Sequence, residues 1–234
     1  MKNLITTIAA CLYLSLFNIS AVLADSTTQP SAFKICPESD HTQQAYALCA
    51  TAQCFTIDNV TYCKCDKKVG KSISLPFNYR ENGSSKDVCD IMQESGQGNF
   101  LVSTFSPPPE LYQSYQGQNP LAIYTCTGAN NLSAQCDGGL CFKGTSGTQW
   151  PFLGAISEDE IVCSCPPATA AKAGFQFIGP ADCDSVFFNQ YCGITDSKKT
   201  GTALAVGSVT GSGTILTKLL TGSVEPFNKC VFPL

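Results

Sequence analysis

Cys54-Phe55-Thr56-Ile57-Asp58-Asn59-Val60-Thr61-Tyr62-Cys63, continued by Lys64-Cys65, is the stretch that decides the fold. A two-residue turn at Asp58-Asn59 sets Ile57 opposite Val60, Thr56 opposite Thr61, Phe55 opposite Tyr62 and Cys54 opposite Cys63. Each pair is chemically matched, and matched cross-strand pairs stabilise a ladder. Asp and Asn tolerate the positive φ that such a turn demands. The stretch therefore predicts a β-hairpin. In Cys63-Lys64-Cys65 the cysteines face the same side of the strand, with Cα atoms about 6.6 Å apart. That is near the upper limit for a disulfide, so the two should bond different partners.

The same punctuation recurs downstream. The first set is Cys36, Cys49, Cys54, Cys63, Cys65 and Cys89; the second is Cys126, Cys136, Cys141, Cys163, Cys165 and Cys183. Both keep four residues between the second and third cysteines and one between the fourth and fifth. The flanks agree too: Ala47-Leu48-Cys49 with Ala134-Gln135-Cys136, Cys54-Phe55 with Cys141-Phe142, and Asp87-Val88-Cys89-Asp90 with Ala181-Asp182-Cys183-Asp184. Agreement at this many positions is the signature of a tandem duplication. The second hairpin is the longer one, with Trp150, Pro151 and Glu158-Asp159-Glu160 in its tip. Ser106-Pro107-Pro108-Pro109 opens a stiff surface linker between the copies.

Six cysteines with this spacing, a hairpin between the third and fourth and C-x-C at the fourth and fifth resemble the epidermal growth factor-like module, over residues 36–89 and 126–183. The resemblance implies pairing of Cys36 with Cys54, Cys49 with Cys63 and Cys65 with Cys89. In the second copy it implies Cys126 with Cys141, Cys136 with Cys163 and Cys165 with Cys183. Direct pairing of Cys54 with Cys63 across the hairpin stays open, as do other connectivities. No Asp-x-Asp/Asn-Glu pattern precedes either copy, so the calcium site of that family is not carried over.

At the N-terminus Met1-Lys2-Asn3 supplies a positive region, Leu4 to Ala24 carries no charge, and Val22-Leu23-Ala24 offers a cleavage site. These are the parts of a secretory signal rather than a membrane span. Ile8-Ala9-Ala10-Cys11 resembles a lipobox, but the apolar run continues past Cys11. Of the fifteen cysteines, fourteen remain after Ala24, an even number that suggests seven bridges in an exported chain. Cys192 and Cys230 stand outside the repeat and are expected to pair, closing a loop worth roughly 4 kcal/mol in the chain-entropy model. With one histidine, His41, and no C-x-x-C, zinc knuckles, redox C-x-x-C sites and covalent haem have no support. We therefore expect no metal and no cofactor. The formal net charge of −4 gives no reason to expect nucleic acid or an anionic membrane as partner.

The expected chain thus divides into a signal peptide (1–24), a first module (25–106), a Pro-rich linker (107–122), a second module (123–192) and a Gly/Thr-rich segment (193–234). The fold class is mainly β, small and disulfide-rich: two tandem cysteine-rich hairpin modules plus a C-terminal disulfide-closed segment. In the last segment Thr202 to Val206 reads as a strand and Thr214 to Leu220 as a short helix or strand stopped by Gly222. Gly207, Gly211 and Gly213 fit neither phosphate-loop pattern and read as turn glycines.

No catalytic set emerges. His41 lies in a polar run, no G-x-S-x-G elbow exists, and adjacent acids such as Glu158 to Glu160 are ordinarily solvated. Asn59, Asn82 and Asn131 head glycan-acceptor tripeptides, usable where the host glycosylates secreted chains. The exposed-aromatic candidates for binding are Tyr112 and Tyr115 in the linker and Trp150 with Phe152 in the second hairpin, Phe152 also suiting a core. The favoured expectation is a secreted, non-catalytic binding or adhesion protein for a protein or carbohydrate ligand, in the extracellular space, on the cell surface or in a periplasm. Alternatives are a self-associating structural subunit of a surface assembly or filament, and a small secreted enzyme or effector.

Overall fold

The computed structural model describes residues 34–36, 44–76, 78–95, 100–104, 121–142, 144, 146–221 and 228–231. The signal segment, Cys11, His41 and nearly all of the linker, Tyr112 and Tyr115 included, lie outside the described residues. The first copy folds into β1 (Lys34–Cys36), β2 (Ala45–Ile57), β3 (Val60–Val69), β4 (Ser72–Ser74), β5 (Asn78–Glu81), β6 (Ser84–Asp87), α1 (Val88–Ser95) and β7 (Phe100–Thr104). The second gives β8 (Leu121–Cys126), β9 (Leu132–Ala134), β10 (Leu140–Phe142), β11 (Gln149–Trp150), β12 (Gly154–Ala155), β13 (Glu160–Ser164), β14 (Pro167–Thr169), β15 (Phe175–Pro180) and α2 (Ser185–Tyr191). The tail adds β16 (Ala203–Leu204), β17 (Ser208–Val209), α3 (Ser212–Thr221) and β18 (Asn228–Cys230). The chain is mainly β and rich in disulfides.

The hairpin forms in the expected register. Asp58 and Asn59 take φ of 47° and 68°, and the ladder pairs Ile57 with Val60, Thr56 with Thr61, Phe55 with Tyr62 and Cys54 with Cys63. The alternation then sorts the faces: Cys54, Thr56, Thr61 and Cys63 point inward, Phe55 and Tyr62 outward. Strand β3 next pairs antiparallel with β13 of the other copy, with Cys63 opposite Cys163. The sheet continues through β10 to β7, and a parallel pairing of β7 with β2 closes it into a small barrel. The two copies thus share one core around an approximate two-fold axis at Cys63 and Cys163.

That core is made of cystines. All seven pairs form, but with a connectivity other than the one the resemblance implied: Cys54 with Cys63, Cys49 with Cys65 and Cys36 with Cys89 in the first copy. The two inner pairs repeat as Cys141 with Cys163 and Cys136 with Cys165. The cause is local. Residues 49–52 form a bulge in β2, since the register passes from Leu48 opposite Asp66 to Gln53 opposite Lys64. The extra residues carry Cys49 back onto the inner face beside Cys65, while Cys54 stays in register with Cys63. Each C-x-C therefore does bond different partners. Sulfurs of the two copies then touch, Cys136 Sγ lying 3.3 Å from Cys63 Sγ and Cys49 Sγ 3.7 Å from Cys163 Sγ.

The outer pairs break the repeat. Cys89 lies inside α1, after the cap that Asp87 makes to the amides of Cys89 and Asp90. Its sequence counterpart Cys183 precedes α2, whose cap is Asp184. The partner available to Cys126 is consequently Cys192 at the other end of α2, and Cys183 is left for Cys230. The expected Cys192–Cys230 bridge is replaced by these two. The tail packs on both copies: β16 pairs with β2, and β18 runs parallel to β8.

A second sheet, in the order β17, β15, β8, β18, carries α2 on one face over Tyr124, Phe175 and Phe177. Its other face presents Ile123 and Ile178 to the barrel core together with Leu216 of α3. Helix α1 covers Tyr46, Leu48 and Val102 on the outside of the barrel with Val88 and Met92. The stretch Thr214 to Leu220, left open as a short helix or strand, is helical within Ser212–Thr221, and the expected strand at Thr202 to Val206 contracts to Ala203–Leu204.

Candidate functional site

The outward face of the hairpin is where the exposed chemistry collects. Because Cys54, Thr56, Thr61 and Cys63 occupy the barrel interior, Phe55 and Tyr62 must face solvent unless something covers them. The insertion of the second copy covers them in part. Its β11 and β12 form a small hairpin that buries Leu153 and Ile156 against Val162. It brings Trp150 of β11 to 5.2 Å from Tyr62 and Phe152 of its turn to 5.9 Å from Phe55, ring centre to ring centre. Phe152 adopts φ of 64°, a conformation that bulky residues rarely take. It is 55% exposed, so the core role is not the one it plays.

A third segment braces the patch. The Gly201 amide donates to Thr56 O at 2.8 Å and the Thr56 amide to Thr202 O at 2.9 Å. A Cβ on Gly201 would lie 3.1 Å from the Phe152 ring, so glycine there lets the backbone run beneath it. Further along the same face, Phe142 stands in register with Val162 on one side and Phe100 on the other. Phe142 is 51% exposed. Phe55, Tyr62, Trp150 and Phe152 thus head an apolar strip on a sheet stapled from within.

Charge adjoins the strip at Lys64, which stands opposite Val162. Lys64 Nζ lies 3.2 Å from Glu160, whose carboxyl is held below its ordinary range first by the Ser157 amide and then by Lys64. Lys67 Nζ donates to Glu158 O at 2.7 Å. The acidic stretch at the hairpin tip therefore caps a turn and ties β3 to β13. The closely grouped sulfurs of the barrel are all in cystines, which lack the thiolate that metal ligation uses.

Of the binding candidates, Trp150 is half-buried in this patch, and Tyr112 and Tyr115 lie outside the described residues. Reading the sequence for aromatics alone missed Phe55 and Tyr62; their alternation with inward cysteines was the available signal. Among the glycan candidates, Asn59 and Asn82 stand exposed in tight turns, with φ of 68° and 48°. Asn131 is 8% exposed and its Nδ2 donates to Thr127 O at 2.8 Å. Secretion from a glycosylating host should therefore load Asn59 and Asn82 and leave Asn131 bare. Peptide mass mapping checks this, and a glycan on Asn131 of the folded protein would contradict the burial.

No family model matches the chain, and no curated protein or solved structure is significantly similar to it.

Proposed function

We propose that this is a secreted binding or adhesion protein without catalytic activity, recognising a protein or carbohydrate ligand through the patch of Phe55, Tyr62, Trp150 and Phe152. The observation that carries the reading is the rigid presentation of the exposed Phe152 ring with half-buried Phe55, Tyr62 and Trp150 beside it. Three chain segments converge on them, and the sheet beneath is cross-linked by four buried cystines. Aromatic rings held in one conformation cost little ordering entropy on binding, and such residues dominate recognition surfaces. Both protein hot spots and sugar rings use them in this way. Extensive disulfide bonding suits life outside the reducing cytosol, in keeping with the signal-like N-terminus.

The test is a comparison of the unaltered protein with Phe152→Ala and Trp150→Ala on an immobilised glycan array and a surface-displayed peptide library. Phe152→Ala should weaken selected binders at least about tenfold, the effect of losing an aromatic contact of roughly 1.4 kcal/mol. Its thermal midpoint should move little, because the ring is more exposed than buried. Selected binders that hold equally well to both variants would place recognition elsewhere.

A further inference from the structure

Helix α2 is stapled at both ends. Cys192 after its last turn bonds Cys126 of β8, and Cys183 just before its first turn bonds Cys230 of β18. The two bridges are not embedded alike. Cys126 ends β8, an inner strand of its sheet, and the Cys192 amide caps α2 by donating to Phe188 O at 3.0 Å. Cys36–Cys89 likewise joins a strand to a helix, with Lys34 and Asp87 paired beside it. Cys183 belongs to no helix or strand and takes φ of 56°, a left-handed conformation unfavourable for a residue with a Cβ.

Among the described residues little besides the Cys183 bridge holds β18. It is the outermost strand of its sheet and pairs over three positions, Asn228 with Ala122, Lys229 with Ile123 and Cys230 with Tyr124. Lys229 and Val231 are exposed, so Cys230 alone is buried within 229–231. Parallel pairing over so short a strand is weak. The strand beneath is held differently. Ala122, Ile123 and Tyr124 of β8 are buried, β15 pairs with β8 from Leu121 to Cys126, and Phe187 and Phe188 of α2 pack on the Tyr124 ring.

We infer that Cys183–Cys230 is a redox-sensitive latch: its reductive opening lets β18 leave and uncovers β8 as an edge strand, while Cys126–Cys192 keeps α2 in place. The reductant is a dithiol, small or protein-borne. One of its thiolates attacks Cys183 Sγ, the partly exposed sulfur, because Cys230 is only 1% exposed. A sulfur–sulfur bond forms there as the Cys183–Cys230 bond breaks, and Cys230 leaves as a thiolate. The second thiol of the reductant, once deprotonated, displaces Cys183 from the mixed disulfide. The dithiol ends as a disulfide, two electrons pass to the cystine, and two protons end on Cys183 and Cys230. An uncovered edge offers backbone donors and acceptors to an extended strand of another chain.

Stepwise dithiothreitol on the full oxidised protein, quenched with iodoacetamide and mapped by mass, tests the latch. Cys183 and Cys230 should be the first alkylated pair, ahead of Cys126–Cys192 and Cys36–Cys89. At that stage hydrogen exchange should rise at least about tenfold at those amides of Ala122–Tyr124 that face β18, with exchange in α2 and β3 unchanged. The double variant Cys183→Ser, Cys230→Ser should show the same rise without reductant. The inference is overturned if another pair opens first, if β8 stays protected in the alkylated protein or in the folded variant, or if α2 loses protection together with β8.

Discussion

From about pH 4 to about pH 7 the protein should become less stable as the pH rises, by about 1.4 kcal/mol per unit at most, and Asp137→Asn should flatten that slope. Asp137 follows Cys136 in the second copy and accepts a hydrogen bond from the amide of Leu75 in the first, so it joins the two. Its Oδ1 has no partner among the described residues. Burial pushes its carboxyl up to about 7, outweighing the hydrogen bonds that favour the anion. Tyr79 lies close enough for its own pKa to be raised, chiefly by burial and secondarily by the Asp137 charge, and its hydroxyl donates to Gly138 O at 2.8 Å.

A raised carboxyl means that the folded chain holds the proton more tightly than the unfolded one. Its contribution is complete below the unfolded pKa near 3.8 and is lost as pH climbs through about 7, a span on the order of 4 kcal/mol. Asp87, lowered chiefly by its hydrogen bond from Lys34, and Glu160 act in the opposite direction. Their contributions are lost as pH falls through folded values below 3.8 and 4.5, and so lie mostly below the Asp137 window. Urea midpoints across the range decide the matter. Stability that stays level or rises with pH in the unaltered protein, or an unchanged slope in Asp137→Asn, would remove Asp137 from the account.

Reduction of the folded protein should proceed in two stages. Both members of Cys49–Cys65, Cys54–Cys63, Cys136–Cys165 and Cys141–Cys163 are buried in the barrel, whereas Cys89, Cys183 and Cys192 are each partly exposed. A soluble dithiol must reach a sulfur to attack it. Cys36–Cys89, Cys126–Cys192 and Cys183–Cys230 should therefore open first, yielding six alkylatable thiols. The barrel pairs should wait for unfolding and lag by at least about tenfold. These outer bridges close spans of 53, 66 and 47 residues, so each lost bridge costs about 4 kcal/mol in the chain-entropy model. Their opening should bring on the second stage at a lower urea concentration. Alkylation with timed mass mapping reads the order directly. Early labelling of Cys54 or Cys163 would show that the barrel interior is not closed to solvent.

Parts of the aromatic patch were legible at different depths. Trp150 could be singled out as an exposed-aromatic candidate, and Phe55 opposite Tyr62 followed from the ladder. Their convergence could not be read, because it depends on residues 146–159 folding across the other copy's hairpin.

The sequence by itself determined the hairpin. Thr56 meets Thr61 and Phe55 meets Tyr62 because neighbours across a two-residue turn have only one register that matches every pair. It determined the repeated cysteine spacing, which is written along the chain, and the rule that each C-x-C must divide its bonds, which rests on spacing along one strand. Tertiary structure decided which sulfurs meet. A bulge at 49–52 resets the partner of Cys65, and the position of each helix relative to Cys89 or Cys183 redirects the outer bridges. Pairing of β3 with β13 then merges two hairpins into one barrel. These are choices of long-range packing, made between residues up to a hundred positions apart, and the spacing of cysteines along the chain does not encode them.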